Sequence, residues 1–235
     1  MTASELVPVF LKAHGTYPRV VYRAFDRFSH AEDFALRGRF RLGNLRTYQK
    51  IEDSRRQDPS EDEGHFQRFG EVTTVDFFDR SDATAVRQRP GYVHTQVELL
   101  NPRFVLSCSR PDVDLSWLRH HFGAWLVKIE KPRRFAQEIS DYLQTLPHKF
   151  ADGVEGCIVK YSKGAKIRRS LTAIESTTLS YSQKPQSFSR ENEFRFVAIV
   201  TGLPSERFDG DYLMIDLGRR LEYVSILDTP PPTRA

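Results

Sequence analysis

The chain is poor in cysteine, tryptophan and methionine, with two of each in 235 residues. Cys108 and Cys157 supply neither a disulfide framework nor a zinc-ligand pattern. A reducing, cytoplasmic setting is the simplest reading of that scarcity. The opening M-T-A-S-E-L-V-P-V-F has no basic segment followed by a long apolar run, so no signal peptide is read there. No window approaches the roughly 18 apolar residues of a membrane span, and no membrane is expected as a partner. A glycine-rich phosphate loop of the P-loop or Rossmann type is missing. So are internal repeats and any composition break that would mark a linker. The charge excess is small as well, 35 basic against 31 acidic residues for a net +4. That balance permits an anionic ligand or nucleic acid and proves neither. The main basic residue is arginine, whose planar fork suits phosphate.

What is present is an ordinary globular composition, 39% hydrophobic with 17 Phe, enough for a sizeable core. The pattern predicts one α+β domain over residues 1–228, strands outnumbering helices. The prolines of the 229–235 tail cannot pair into a sheet, so it is expected to be disordered. Strands are predicted at 19–25, 71–78, 92–99, 103–108, 157–161, 194–200, 212–217 and 221–227. Gly-Val-Glu-Gly before Cys157 reads as a turn. Ser29 and Glu32 form a capping box for a short helix that Gly38 stops. In G-R-F-R-L-G, Phe40 and Leu42 share a face. A second helix is predicted over 133–146, with Phe135, Ile139, Tyr142, Leu143 and Leu146 on one side. Residues 49–71 are densely charged and hold Pro59, Gly64 and Gly70, which predicts a long loop. It reads either as a solvated lid or as a wall of the site, with Tyr48, Arg55, Asp58 and Glu63 as candidate substrate contacts.

Three strand-edge motifs carry the chemistry. V-V-Y-R ends in Arg23, V-L-S-C-S-R holds Ser107 and Ser109, and E-N-E-F-R-F holds Glu191 and Glu193. Two glutamates two apart at the start of a strand share a face. Repulsion makes such a pair costly at the edge of a core unless something binds it. Each motif also has a plain structural reading: a polar strand face, a surface ion pair, a serine ending a strand. Cys108 reads as a small buried hydrophobe. In W-L-R-H-H-F-G, adjacent His120 and His121 point different ways and do not suit one metal ion. Trp117 and Phe122 are expected in the core, with His121 a candidate for the cleft.

The ordered set Arg23, Ser107-Cys108-Ser109 and Glu191-Asn192-Glu193 resembles the Arg-Ser-Glu class of mono-ADP-ribosyltransferases, the cholera-toxin-like group. Cysteine stands where that family usually has threonine. A second resemblance is to a bacterial domain-of-unknown-function family whose members often sit near toxin–antitoxin and phage-defence genes. It is carried by the Y-R start, G-x-x-R-x-G-x-L-x-x-Y, W-L-R-H-H-F-G and K-P-x-x-F-x-x-E-x-E-F-R-F. The first resemblance implies two small facing, mostly antiparallel sheets with flanking helices and a cleft for NAD, which is a substrate. Transfer of ADP-ribose passes through an oxocarbenium-like transition state, which a nearby carboxylate stabilises. The resemblance gives that role to Glu193 and the activation of the acceptor to Glu191. It gives the pyrophosphate to Arg23, with Tyr22, Ser107 and Ser109 in the NAD-binding set. The acceptor is a macromolecule, protein or nucleic acid, and an antitoxin is the further partner such loci imply. Three other readings stay open: an NAD glycohydrolase, a metal-dependent nuclease using the acidic residues, and a non-enzymatic binding module.

Overall fold

The computed structural model describes residues 14–45, 63–68, 82–89, 92–99, 103–146, 150–162, 182–200 and 211–227. In chain order these begin with β1 (His14–Gly15), β2 (Val21–Phe25), α1 (Phe28–Glu32) with a π-helical turn (Asp33–Arg37), and β3 (Arg39–Asn44). Next come β4 (Glu63–Arg68), β5 (Asp82–Arg89), β6 (Tyr92–Leu99), β7 (Arg103–Ser109), α2 (Leu115–Phe122) and β8 (Trp125–Ile129). Then follow α3 (Pro132–Leu143), β9 (Phe150–Ile158), β10 (Lys160–Ser162), β11 (Gln183–Pro185) and a 3₁₀ turn (Gln186–Glu191). The last are β12 (Glu193–Val200), β13 (Tyr212–Asp216) and β14 (Val224–Leu227). The class is mixed α+β, mostly antiparallel sheet with few helices. Among the described residues no helix is long and apolar enough to cross a membrane.

Hydrogen bonding joins the main strands into one branched sheet, where the resemblance implied two small ones. Its nine strands run β1-β9-β12-β7-β2-β8-β14, with β3 on β7 and β13 on β3. β7 is the branch. One edge of it pairs with β12 from Arg103↔Ile199 to Ser109↔Glu193. The other edge is shared: β2 takes Ser109, through Tyr22, and β3 takes Val105 and Phe104. In an antiparallel strand the N–H and C=O of one residue point to the same edge, alternating along the chain. Ser107 therefore presents its backbone groups to the gap between β2 and β3. Two smaller units complete the described strands, an antiparallel β4-β6-β5 sheet and a parallel β10-β11 pair.

β12 is buried on both faces, as its continuous apolar run predicts. Phe194, Phe196 and Ala198 enter the main core, while Val197 packs with Leu45, Val105 and Cys157 on the other side. α3 starts at Pro132, whose fixed φ and missing N–H suit a first helical turn. It buries Phe135, Ala136, Ile139 and Leu143 at helical spacing, with Tyr142 and Leu146 half-buried beside them. The Phe135 ring lies 5.1 Å from both Phe40 and Phe196. Ser140 ties this helix to β9: its hydroxyl donates to the Ala136 carbonyl at 2.9 Å and accepts from Val154 N–H at 3.0 Å.

Several local expectations are corrected. Ser29 is not an N-cap: the helix starts at Phe28 behind Arg27, with no side-chain cap. Gly38 does close the π turn, in the left-handed region at φ 64°. Gly-Val-Glu-Gly runs inside β9 instead of turning. Gly156 has no Cβ because one would stand 2.5 Å from the Tyr17 ring. Glu63–Arg68 is a strand, paired along its whole length with β6, where the charge density predicts a loop. The predicted strand at 71–78 and the 229–235 tail lie outside the described residues.

Candidate active site

The fork in the sheet opens a cleft of about 560 Å³. β2 contributes Tyr22 and Arg23, β7 contributes Ser107 and Ser109, and the β11–β12 segment contributes Lys184, Glu191 and Glu193. The far wall includes Arg39 and Arg41 of β3. Arg23 donates from Nη1 to the Ser107 carbonyl. It fills the rung that the parting of β2 and β3 leaves open. Its Nε is buried and has no hydrogen-bond partner among the described residues. Tyr22, Ser109 and Glu193 stand on one rung across three strands.

Glu193 is buried to 3% exposure at the head of β12. Its N–H donates to Tyr161 Oη at 2.8 Å. Arg195, two residues along and on the same face, donates to its carboxylate from Nε at 2.8 Å and Nη2 at 3.2 Å. Lys184 Nζ lies 3.0 Å from Oε2, and the Ser107 hydroxyl makes a further hydrogen bond. Burial alone would raise the pKa of this carboxyl. Arg195 first and Lys184 second outweigh it, with hydrogen bonds from Arg195 and Ser107 added, and hold it well below the usual carboxylate range.

Glu191 is not on the strand. It ends the 3₁₀ turn, and Asn192 turns the chain in the left-handed region at φ 46°. Asn192 is clamped there from the loop after β7. Arg110 N–H donates to its carbonyl at 2.9 Å, Arg110 Nη2 donates to its Oδ1, and its Nδ2 donates to Asp112 Oδ1. The turn keeps the two carboxylates together around one cation, since Lys184 Nζ is also 2.9 Å from Glu191 Oε2. Burial pushes Glu191 up to about 7, opposed by Lys184 and reinforced by the Glu193 charge. One carboxylate is thus held ionised and its neighbour is poised to exchange a proton near neutrality, the separation that acid–base chemistry uses.

The structure therefore brings Arg23, Tyr22, Ser107, Ser109, Glu191 and Glu193 to one cleft. His121 is not at the cleft wall. It is exposed on α2, stacked 4.4 Å from the Trp117 ring, its Nδ1 2.9 Å from the Trp117 carbonyl. From that helix Leu118 and Phe122 reach the cleft instead. Tyr48, Arg55 and Asp58 lie outside the described residues, and Glu63 is described only as part of β4. Cys108 lines the cleft, but burial pushes its thiol up to about 12, which leaves little thiolate for attack. Among the described residues no group of three His, Cys, Asp or Glu is arranged to hold a metal ion.

Sequence reading missed Lys184, Arg195 and Asn192. For Arg195 the signal is there, since alternation places it beside Glu193. Lys184 gives none, because only the tertiary fold carries β11 to the carboxylates. A scan against protein-family models, a search of curated proteins and a search of solved structures each find no match for the chain.

Proposed function

We propose that this cleft binds NAD, cleaves the nicotinamide–ribose bond and passes ADP-ribose to a macromolecular acceptor. One observation carries the reading. Arg23, Ser107 and Glu193, distant in sequence, meet through direct contacts at the fork, in the order that the transferase resemblance implies. The chain would then be a toxin-like or phage-defence effector.

In this reading the Arg23 guanidinium, with its spare Nε donor, grips the pyrophosphate. Nicotinamide leaves with the electron pair of the C–N bond, and positive charge develops on the ribose. The ionised Glu193 carboxylate, fixed in direction by Arg195 and Ser107, meets that charge without having to reorganise. The acceptor forms the new bond to ribose C1′ and gives its proton to Glu191, which titrates in the right range. Lys184 holds Glu191 beside Glu193 and occupies the position between the two carboxylates where the nuclease reading would put a metal ion.

The test is nicotinamide release from NAD, with and without cell lysate or RNA. Wild type is expected to release nicotinamide. Glu191→Gln should slow acceptor-dependent turnover by about 10²-fold or more, the usual range for losing a general base. Free ADP-ribose as the sole product would make the activity a glycohydrolase. A folded wild-type protein that releases nothing under any condition overturns the proposal.

A further inference from the structure

β3 and β13 form a two-stranded ribbon along the outer wall of the cleft, in register from Tyr212↔Gly43 to Asp216↔Arg39. One face of the ribbon is core, with Phe40, Leu42, Leu213 and Ile215 buried. The other face carries Arg39, Arg41, Tyr212, Met214 and Asp216, and Arg39, Arg41 and Met214 line the cleft itself. Arg39 and Arg41 are exposed. Among the described residues Arg39 has only a long ion pair with Asp216, at 3.9 Å, and both side chains are half exposed. Arg41 has no carboxylate partner among the described residues. Instead its guanidinium lies 4.5 Å over the Tyr212 ring, which is itself 44% exposed.

A surface on which Arg41 has no carboxylate partner among the described residues and Arg39 only a distant one, with an aromatic ring open to solvent beyond Arg41 and opposite Gly43, suits an anionic ligand that can also stack. Two arginines two residues apart on a strand lie about 7 Å from each other, a step that consecutive phosphates of an extended strand can follow. A ring already stacked on a guanidinium offers its free face to an unpaired base, which adds a third layer. Bases inside a duplex are stacked on each other and cannot use that ring. We infer that the exposed face of the β3–β13 ribbon is a binding platform for single-stranded nucleic acid. The platform runs into the cleft at Arg39, Arg41 and Met214, so a bound strand is delivered to the carboxylates. This deepens the proposed function by assigning the acceptor class, and that assignment rests on NAD cleavage. The binding itself does not.

The experiment measures fluorescence polarisation of a labelled mixed-sequence 12-nucleotide single-stranded RNA with the full chain, between 50 and 200 mM salt. Binding should weaken with salt, and Arg39→Ala/Arg41→Ala should lower the log–log slope by about 1.4, about 0.7 for each phosphate left without its arginine. Tyr212→Leu should weaken binding about fivefold or more with the slope unchanged, as loss of one stacked base predicts. The control is Lys131→Ala/Arg133→Ala, which removes the same charge from exposed positions at the start of α3. Failure of wild type to bind overturns the proposal, as does a control as weak as the ribbon variant, or a duplex of the same length bound equally well. In parallel, basal nicotinamide release by Tyr212→Leu, whose ring does not line the cleft, should match wild type. Loss of release together with RNA binding would place this ring in the NAD site and overturn the platform. RNA binding by a protein that never cleaves NAD would refute the proposed function while leaving the platform standing.

Discussion

Replacing Glu191 by Gln should stabilise the fold as pH rises, although it removes a hydrogen bond. The folded protein holds this carboxyl at about 7 against an ordinary 4.5 because burial disfavours its charge. A group whose folded pKa is raised in this way favours the native state fully only below the unfolded value. Above pH 4.5 the unfolded chain ionises and the native state does not follow until about pH 7. Stability is lost across that window and stays lost above it. From the two pKa values the loss between pH 5 and pH 8 is about 2–3 kcal/mol. Glutamine cannot ionise, so the variant escapes it. Whatever the amide costs in packing, it costs the same at both pH values. The quantity to measure is therefore the stability difference between Glu191→Gln and wild type at pH 8, minus the same difference at pH 5. Urea unfolding followed by the fluorescence of Trp117 and Trp125 gives it, and it should favour the variant by about 2–3 kcal/mol. An equal difference at both pH values would refute the reasoning, because Glu191 would then be charged in the native state throughout.

Glu193→Gln should behave in the opposite way. It takes the Glu193 carboxylate from Arg195, itself 1% exposed, and removing one partner from a buried pair costs about 3–5 kcal/mol. Because the native pKa lies well below the unfolded one, that loss should be flat from pH 5 to pH 8 in the same urea assay. Asn192→Ala should destabilise by about 1–2 kcal/mol more than Asn192→Gly, since both lose the Arg110–Asp112 clamp but only alanine resists the left-handed turn. Equal losses would mean that the turn relaxes. Ser140→Ala should cost about 1–3 kcal/mol, the penalty for leaving Val154 N–H buried without an acceptor. Hydrogen exchange at Val154 would report the same loss locally.

The parts of this fold that are legible in the sequence are those set by local periodicity. The run from Phe194 to Val200 could only be a strand buried on both faces, and Phe135, Ile139 and Leu143 could only line one side of a helix. Gly38 as a stop is equally local. What cannot be read depends on interactions between distant residues. Glu191 looks like the first residue of a strand because Arg110 and Asp112, which hold the chain in a turn at Asn192, lie some eighty positions earlier. Charge density makes Glu63–Arg68 look like loop, although a strand needs a ladder partner more than it needs apolar residues, and Tyr92–Leu99 supplies one. The glutamates read as a costly pair, but the cation that makes them tolerable comes from Lys184, in a polar stretch with no distinguishing pattern.

The missing rung at Ser107 also limits what can enter. A sheet with an open edge invites a guest peptide to extend it, and sheet-adding recognition depends on a run of consecutive backbone hydrogen bonds. Here the opening is one residue long and closed at both ends, by Tyr22 opposite Ser109 and by Gly43 opposite Val105. Its one unladdered carbonyl is already taken by Arg23. A polypeptide cannot thread in as an extra strand and be held by its backbone. Whatever reaches the floor of the cleft must do so as a discrete head group or a single projecting side group. Selection there falls on the chemistry of that one group, and the rest of the molecule carrying it is chosen at the rim.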